Sequence, residues 1–245
     1  MKTLIRNCLH SNDIYLLEKY DFEGKPIFII KSSSSKNGIN SLNNELRGLE
    51  WYNKLIDNKI PFETICKSEN YIKMQTTFID GEIISYSDGF TKNEKFINKI
   101  VEHYCKIWPN SNGSNNHYAL HGDLSICNII FDYKKDIYII DWEHFNDNSA
   151  PIGFDALNLI FEQVWVESQF NSVIEGIIDP VVSLIQQLKK NNAIDNYFIE
   201  KPISKTKSFL KKNEHIWGDQ ITKLPVFKFE DSLINKIDKK IIEKL

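Results

Sequence analysis

The chain has no long uninterrupted apolar run and no strong imbalance of charge. Its 245 residues carry 30 Lys+Arg and 33 Asp+Glu, a formal net charge of −3. No basic stripe is therefore present for nucleic acid, and no apolar run has the length of a membrane span. The first twenty residues also lack the continuous apolar core of a signal peptide. We expect a cytoplasmic protein with no nucleic-acid partner and no membrane span.

Cysteines are few, and none of them forms a C-x-x-C pair. The four cysteines, Cys8, Cys66, Cys105 and Cys127, are scattered along the chain, which indicates reduced, mostly packed thiols in a reducing compartment. A Walker A sequence is absent as well, and its absence excludes a P-loop NTPase. The remaining composition, 42% hydrophobic and 26% charged, is ordinary for a globular protein. The length allows one large domain or two smaller lobes.

The residues that are present predict an α+β protein with its strands concentrated in the first third. Short β-rich runs occur in "TLIRNC", "IYLLEKY", "PIFIIKS", "FETICKS" and "YIKMQTTFI". Between the third and fourth runs, apolar residues recur at helical spacing and predict a helix over about residues 40–57. Helical spacing dominates later, apart from a hairpin formed by "NIIF" and "IYIID". We expect a β-rich lobe with one helix over residues 1–80 and a larger, mainly helical lobe over residues 81–245.

Acidic and amide side chains cluster around the predicted hairpin, in "HGDLSICNIIF" and "IIDWEHF". Asp123 and Asn128 are separated by four residues, and Asp141 ends an apolar strand shortly afterwards. With a hairpin between them, the three side chains are expected to converge at one end of the strands. Two carboxylates and an amide oxygen suit Mg²⁺. Asp123 would then be the acid that remains available to receive a proton.

The spacing H-G-D-x-x-x-x-N, followed by an apolar strand ending in I-D, resembles the protein-kinase-like fold. The resemblance implies that Asp123 is the catalytic base and that Asn128 and Asp141 are metal ligands. The fold also requires a lysine on the third strand and a glutamate on the following helix. The chain has Lys31 and Glu45 in these elements, and the resemblance implies that this pair directs Lys31 toward the α- and β-phosphates of ATP.

Several details differ from a protein kinase. Ser125 stands where protein kinases usually have lysine, Asp141 is followed by Trp142 and Glu143 instead of Phe-Gly, and no A-P-E sequence follows. "HGDLSICNIIF…IIDWEHF" instead resembles the aminoglycoside phosphotransferase and choline kinase group. "FIDGEII" is similar to the lobe-connecting segment of that group. The resemblance spans roughly residues 1–165, and the last eighty residues match no family that we can name.

The same resemblance implies further roles. Backbone groups of residues 76–79, including Thr77 and Ile79, would meet the adenine edge. "IGFDALNLI" is similar to the segment after the metal aspartate, which implies that Asp155 accepts hydrogen bonds from the catalytic loop. His121 is expected to form a hydrogen bond within that loop, and Trp142 to be a core residue. Glu143 lies where a substrate could dock.

The first loop departs from the kinase pattern. "CLHSND" has no glycine, whereas kinases normally cover the phosphates with a glycine-rich turn. In its place, Ser11 or Asn12 could donate a hydrogen bond to a phosphate.

The resemblance implies an ATP- and Mg²⁺-dependent transfer of the γ-phosphoryl group to a hydroxyl of a small molecule. The segment from Ser125 to Cys127 resembles sugar kinases of surface-polysaccharide clusters, which favours a carbohydrate acceptor. Choline, ethanolamine and aminoglycosides remain alternative acceptors, as does GTP as the donor. A pseudokinase acting as a binding module and a true protein kinase are further alternatives. The sequence leaves the oligomeric state open.

Overall fold

An antiparallel sheet occupies the N-terminal part of the chain, and a mostly helical part follows it, so the protein is α+β. The computed structural model describes residues 3–4, 14–21, 23–111, 117–170, 175–216 and 224–245. The chain divides into two compact units. The first contains Met1–Glu82 and Ile130–Phe145, and the second contains Ile83–Ile129 and Asn146–Leu245. The expected division after residue 80 differs from these units in residues 130–145, which belong to the first.

The first unit is built on a five-stranded antiparallel sheet with the order β1-β2-β3-β5-β4. Leu16 of β2 pairs with Lys31 of β3, which in turn pairs with Met74 of β5. Because neighbouring side chains of a strand point to opposite faces, this register fixes the face on which Lys31 lies. The strands are β1 (Thr3–Leu4), β2 (Tyr15–Tyr20), β3 (Pro26–Ser33), β4 (Phe62–Ser68) and β5 (Tyr71–Thr77).

Helix α1 (Lys36–Asn53) packs on this sheet and begins earlier than the sequence predicted. The Oγ of Ser35 accepts a hydrogen bond from the N–H of Gly38 and caps the helix at 3.0 Å. At the other end, the Asn53 side chain bonds both the N–H and the C=O of Ile60, at 2.8 and 2.7 Å. The predicted range of about 40–57 lies about four residues too far toward the C-terminus. Apolar spacing contains no information on the polar contacts of Ser35 and Asn53 that determine the helix ends.

A small second sheet, of order β6-β8-β9, contains the hairpin that the sequence predicted. Its strands are β6 (Gly81–Ile83), β8 (Ile129–Asp132) and β9 (Ile137–Ile139). In the turn, Oδ1 of Asp132 accepts the N–H groups of Lys134 and Asp136 at 2.8 and 2.9 Å. Strand β5 ends at Thr77, and β6 begins at Gly81 after a break of three residues.

Helices make up most of the second unit. A short sheet joins β7 (Tyr118–Leu120) to β10 (Asn146–Ala150). The helices are α2 (Gly89–Ile107), α3 (Phe154–Phe170), α4 (Glu175–Lys190), α5 (Asn196–Ile199), α6 (Pro202–Lys212), α7 (Pro225–Lys228) and α8 (Asp231–Ile242). None of the helices in the described ranges is both long enough and apolar enough to cross a membrane.

In two of these helices, a carboxylate from another helix accepts hydrogen bonds from the N–H groups of the first turn. Oε2 of Glu167 on α3 accepts the N–H of Thr91 in the first turn of α2 at 3.0 Å. Asp238 on α8 accepts the N–H groups of Ile203 and Ser204 at the start of α6, at 2.8 and 3.0 Å. The first N–H groups of a helix have no partner within the helix, and a carboxylate there also interacts favourably with the helix dipole. These contacts fix the starts of α2 and α6.

Asp238→Ala tests the second of these contacts. The substitution leaves two buried N–H donors without their acceptor, so we expect it to lower the free energy of unfolding by about 2 kcal/mol. Asp231→Ala, on the same helix, is the matched control. The Asp231 side chain is 86% exposed and pairs with Lys207, so its loss should cost less than about 1 kcal/mol. Equal losses in urea unfolding would contradict the capping role of Asp238.

Candidate functional site

Lys31 lies at the centre of a group of carboxylates in the first unit. Its Nζ is 2.8 Å from Oε2 of Glu45 on α1 and 2.8 Å from Oδ1 of Asp141, which follows β9. Oε1 of Glu143 is 3.7 Å away. The Lys31 side chain is only 12% exposed, and that of Glu45 only 5%. A buried ammonium needs charged partners, and these three carboxylates provide them.

Burial and charge act in opposite directions on these groups. Burial alone lowers the pKa of Lys31, but the charges of Glu45, Asp141 and Glu143 raise it, and the net result lies above its ordinary value. Burial raises the pKa of Glu45 above its ordinary value, although the Lys31 ammonium lowers it. Lys31 therefore stays positively charged at neutral pH. The group is a fixed positive charge inside an acidic surrounding.

The same carboxylates offer a set of hard oxygen ligands. Within the described part of the chain, one ligand oxygen each from Glu45, Asp141 and Glu143 can be chosen so that all lie within 4.8 Å of one another. Carboxylate oxygens are the ligands that Mg²⁺ and Ca²⁺ prefer, so the donor chemistry fits the predicted Mg²⁺. The sequence predicted Asp141 as a metal ligand. It predicted a substrate contact for Glu143, and for Glu45 only the ion pair with Lys31.

A pocket of about 200 Å³ opens beside Lys31 in the first unit. Its walls are mainly apolar, and its charged side chains are those of Lys31, Glu45 and Asp141. Such a combination suits a ligand with a flat apolar part and a charged part. The lining residues are Leu16, Ile29, Lys31, Glu45, Leu49, Ile60, Thr76, Thr77, Ile79, Ile130, Ile140 and Asp141.

The segment predicted to meet adenine contributes to this pocket through Thr76, Thr77 and Ile79. The N–H of Thr77 donates to the C=O of Pro61, and the N–H of Phe78 donates to the C=O of Ile27, both at 2.9 Å. These two donors are therefore used within the protein. Ser11, predicted to contact a phosphate, lies outside the described residues, as does the alternative Asn12.

The 121–128 loop, which contains the predicted Asp123 and Asn128, lies in the second unit. Nδ2 of Asn128 donates to the C=O of Asp123 at 2.8 Å and to its Oδ2 at 3.3 Å. The N–H of Asp123 donates to Nδ1 of His121 at 3.3 Å, as expected for a histidine bonded within its own loop. These contacts give the Asp123 carboxylate a defined orientation. Asp141 belongs to the first unit, whereas Asp123 and Asn128 belong to the second.

Asp155, at the start of α3, accepts two backbone hydrogen bonds from the loop. Its Oδ2 takes the N–H of His121 at 2.9 Å, and its Oδ1 takes the N–H of Gly122 at 3.1 Å. Gly122 has φ of 85°, a conformation that glycine adopts without strain. The prediction that Asp155 is an acceptor for this loop is confirmed. Burial raises its pKa to about 7, against the lowering effect of the two N–H donors.

Sequence reasoning missed Glu162, which lies about two helical turns after Asp155 on α3. Its side chain is buried, and Oε2 accepts the hydroxyl of Ser125 at 3.0 Å and the N–H of Ile126 at 3.3 Å. Burial raises the pKa of Glu162 to about 8, although the hydrogen bond from Ser125 lowers it. The available signal was an acid seven residues after Asp155 in an otherwise apolar stretch, which places both acids on one face of a helix.

No family model matches this chain, and no curated protein matches it either.

Glu162→Gln tests the effect of the buried acid on stability. The folded-state pKa of about 8 exceeds the ordinary value of 4.5, so between these pH values the folded protein holds a proton that the unfolded chain has lost. This contribution is fully present below pH 4.5 and is lost as the pH rises toward 8, with a slope of up to about 1.4 kcal/mol per pH unit. The substitution should remove that slope.

The measurement is urea unfolding of both proteins at several values between pH 5 and 8. Glu102→Gln, at an exposed position of α2, is the matched control and should keep the wild-type slope. An unchanged slope in Glu162→Gln would contradict the buried titration of this residue.

Proposed function

We propose that this protein transfers the γ-phosphoryl group of ATP to a hydroxyl group of a small molecule. The observation that carries the proposal is the Lys31 group. The carboxylates of Glu45 on α1 and of Asp141 after β9 both lie 2.8 Å from the ammonium of Lys31 on β3, although Lys31 and Asp141 are 110 positions apart in sequence. The sequence motif assigns the same three residues to nucleotide and metal binding, so geometry and motif support one function. The proposal places the protein in the protein-kinase-like superfamily, near aminoglycoside phosphotransferases and choline kinases.

The first unit supplies the nucleotide-binding groups in this proposal. The apolar walls of the pocket would hold the base, with Thr77 and Ile79 at its edge. Lys31 would bind phosphate oxygens, which an ammonium held at a fixed position does without a further loss of side-chain freedom. Glu45 would keep Lys31 in place. The acidic neighbours of Lys31 make the region unfavourable for a phosphate unless a cation accompanies it.

That cation is Mg²⁺ in our proposal, with Asp141 as the ligand from the first unit and Asn128 as the ligand that the motif assigns from the second. Asp141 and Asn128 would hold the ion, and its positive charge would reduce the repulsion between the phosphates and the carboxylates. Glu143, whose carboxylate lies close to Lys31, is better suited to this charged group than to the substrate contact first considered.

Asp123 is the base in the proposal. Transfer of a phosphoryl group has a loose transition state, in which positioning and charge neutralisation account for most of the rate. Asp123 would accept a hydrogen bond from the acceptor hydroxyl, hold it in line, and take its proton late. The hydrogen bonds from Asn128 to Asp123, and from the loop to Asp155 and Glu162, support a carboxylate held in one orientation. The acceptor class that we favour is a sugar or a precursor of a surface polysaccharide.

Asp123→Ala separates binding from chemistry. We expect the variant to bind Mg²⁺–ATP with wild-type affinity and to lose turnover by at least about a hundredfold, because the proton of the acceptor has no base. Calorimetry gives the affinity, and ADP release gives the turnover. Asp57→Ala, at an exposed position, is the control and should behave as wild type. Unchanged turnover in Asp123→Ala would refute the base.

Asp141→Ala tests the metal ligand. The variant loses a carboxylate of the proposed Mg²⁺ site and a partner of Lys31, so ATP binding should no longer depend on Mg²⁺. The measurement is nucleotide binding with Mg²⁺ and with a chelator, again with Asp57→Ala as the control. Metal-dependent binding that persists in Asp141→Ala would exclude its role as a ligand.

An ADP-release screen of the wild-type protein tests the proposed function itself. Its acceptor panel contains sugars, amino alcohols and aminoglycosides, each with ATP and with GTP. Turnover with a small hydroxyl compound supports the proposal. ATP binding without turnover on any acceptor of the panel would instead favour a binding module, and phosphorylation of protein alone would favour a protein kinase.

A further inference from the structure

Trp142, the residue directly after Asp141, is completely buried in the first unit. Its ring contacts those of Trp51 and Tyr52 of α1, with centroids 5.6 and 5.2 Å away, and that of Phe145 at 5.8 Å. Its indole Nε1 donates to the C=O of Ile139 at 3.0 Å. A large aromatic side chain with its polar atom paired is held firmly by such surroundings. Trp142 therefore anchors the chain immediately beyond Asp141.

Gly48 of α1 is the point at which the helix meets this tryptophan. A Cβ atom at Gly48 would lie 2.5 Å from Cβ of Trp142 and 2.8 Å from its Cγ. The Cβ of Trp142 cannot move aside without moving the backbone, so only glycine permits this approach. Gly48 lies three residues after Glu45, about one helical turn. The distance between α1 and Trp142 therefore affects the position of the Glu45 carboxylate.

A second contact joins the same two segments. Nδ2 of Asn44, on α1, donates to the backbone C=O of Glu143 at 3.1 Å. Asn44 and Gly48 are four residues apart and so lie on one face of the helix, beside Glu45. Together they attach α1 to residues 142 and 143, on the far side of Asp141 from its strand.

Asp141 needs such support because its backbone is strained. It has φ of 66°, in the left-handed region that residues with a Cβ atom adopt less readily than glycine. A strained conformation persists only where neighbouring contacts over-determine it. The buried ring of the following residue, Trp142, and the ion pair between the Asp141 carboxylate and Lys31 are such contacts.

We propose that Trp142, seated against Gly48 of α1, is a positioning residue that holds the Asp141 carboxylate and the Lys31–Glu45 pair in one arrangement before any nucleotide binds. The role as stated for catalysis depends on the proposed phosphotransferase function, whereas the arrangement itself can be measured without it. Helix α1 and the turn after β9 then move as one piece, and no separate event is needed to bring Glu45 to Lys31.

The test compares Gly48→Ala with Gly176→Ala. Both replace a helical glycine, but a Cβ at Gly176 has nothing within 4 Å, so this control carries the substitution without the clash. We expect Gly48→Ala to raise the KM for Mg²⁺–ATP and to lower kcat, with a combined loss of roughly tenfold to a hundredfold, while the KM for the acceptor stays the same. Simple loss of folded protein would lower kcat and leave both KM values unchanged, which would overturn the proposal.

The second readout is the rate at which acetic anhydride acetylates Lys31, followed by mass spectrometry without nucleotide. The ammonium is shielded by its three carboxylates, so Gly48→Ala should label several-fold faster than wild type, and Gly176→Ala at the wild-type rate. Equal rates in the two variants would overturn the positioning role. Because this readout needs no activity, a wild-type protein that fails to turn over any acceptor would refute the proposed function and leave the positioning role to be decided by labelling.

A milder pair of variants applies if Gly48→Ala does not fold. Asn44→Ala removes the hydrogen bond to Glu143 without introducing a clash, and it should increase Lys31 acetylation in the same direction by a smaller factor. Its control, Asn43→Ala, removes a hydrogen bond from the neighbouring residue to Ile39 within the helix. Wild-type labelling in Asn44→Ala, or the same increase in Asn43→Ala, would overturn the proposal.

Discussion

The ion pair between Lys31 and Glu45, joined by Asp141, is the interaction on which the first unit is organised. Lys31 and Glu45 are buried together beside the half-buried Asp141, and a buried charge would be costly if it stood alone. The sheet register determines the face of the sheet on which Lys31 lies. The Ser35 cap determines where α1 begins, and therefore where Glu45 lies along the helix. The turn after β9 places Asp141 beside the Lys31 ammonium. An arrangement of this kind contributes little net stability for its size. Its retention is understandable if the charges serve a ligand.

In the second unit, buried carboxylates accept hydrogen bonds from backbone N–H groups and have no basic partner among these contacts. Asp155 and Glu162 lie on one face of α3, and each accepts backbone N–H groups from the 121–128 loop. A loop without regular secondary structure has backbone donors that must be paired when buried. Helix α3 supplies the acceptors, and the raised pKa values of both acids show the cost of burying them. The loop geometry around Asp123 is thus set by a helix more than thirty residues away in sequence.

The sequence predicted much of this, for identifiable reasons. Strand pattern and apolar spacing located the strands of the five-stranded sheet, α1 and the hairpin, and the motif order located Lys31, Glu45 and Asp141. What it could not predict were features that depend on tertiary contact. The end of α1 depends on the Asn53 side chain reaching Ile60, and β6 exists only because β8 lies beside it. Glu162 was missed because its spacing from Asp155 places both acids on one helix face without showing that the face packs against the 121–128 loop. Gly48 cannot be distinguished from an ordinary helical glycine until Trp142 is placed against it.

The carboxylates of α3 have one further consequence for the motions of the second unit. Side chains of this one helix accept hydrogen bonds from four backbone N–H groups outside it. The donors are His121, Gly122 and Ile126 in the loop and Thr91 at the start of α2. Their exchange with deuterium from the solvent therefore requires these contacts with α3 to break. Four amides from two segments distant in sequence should then be protected by the side chains of a single helix, although three of them lie in the 121–128 loop.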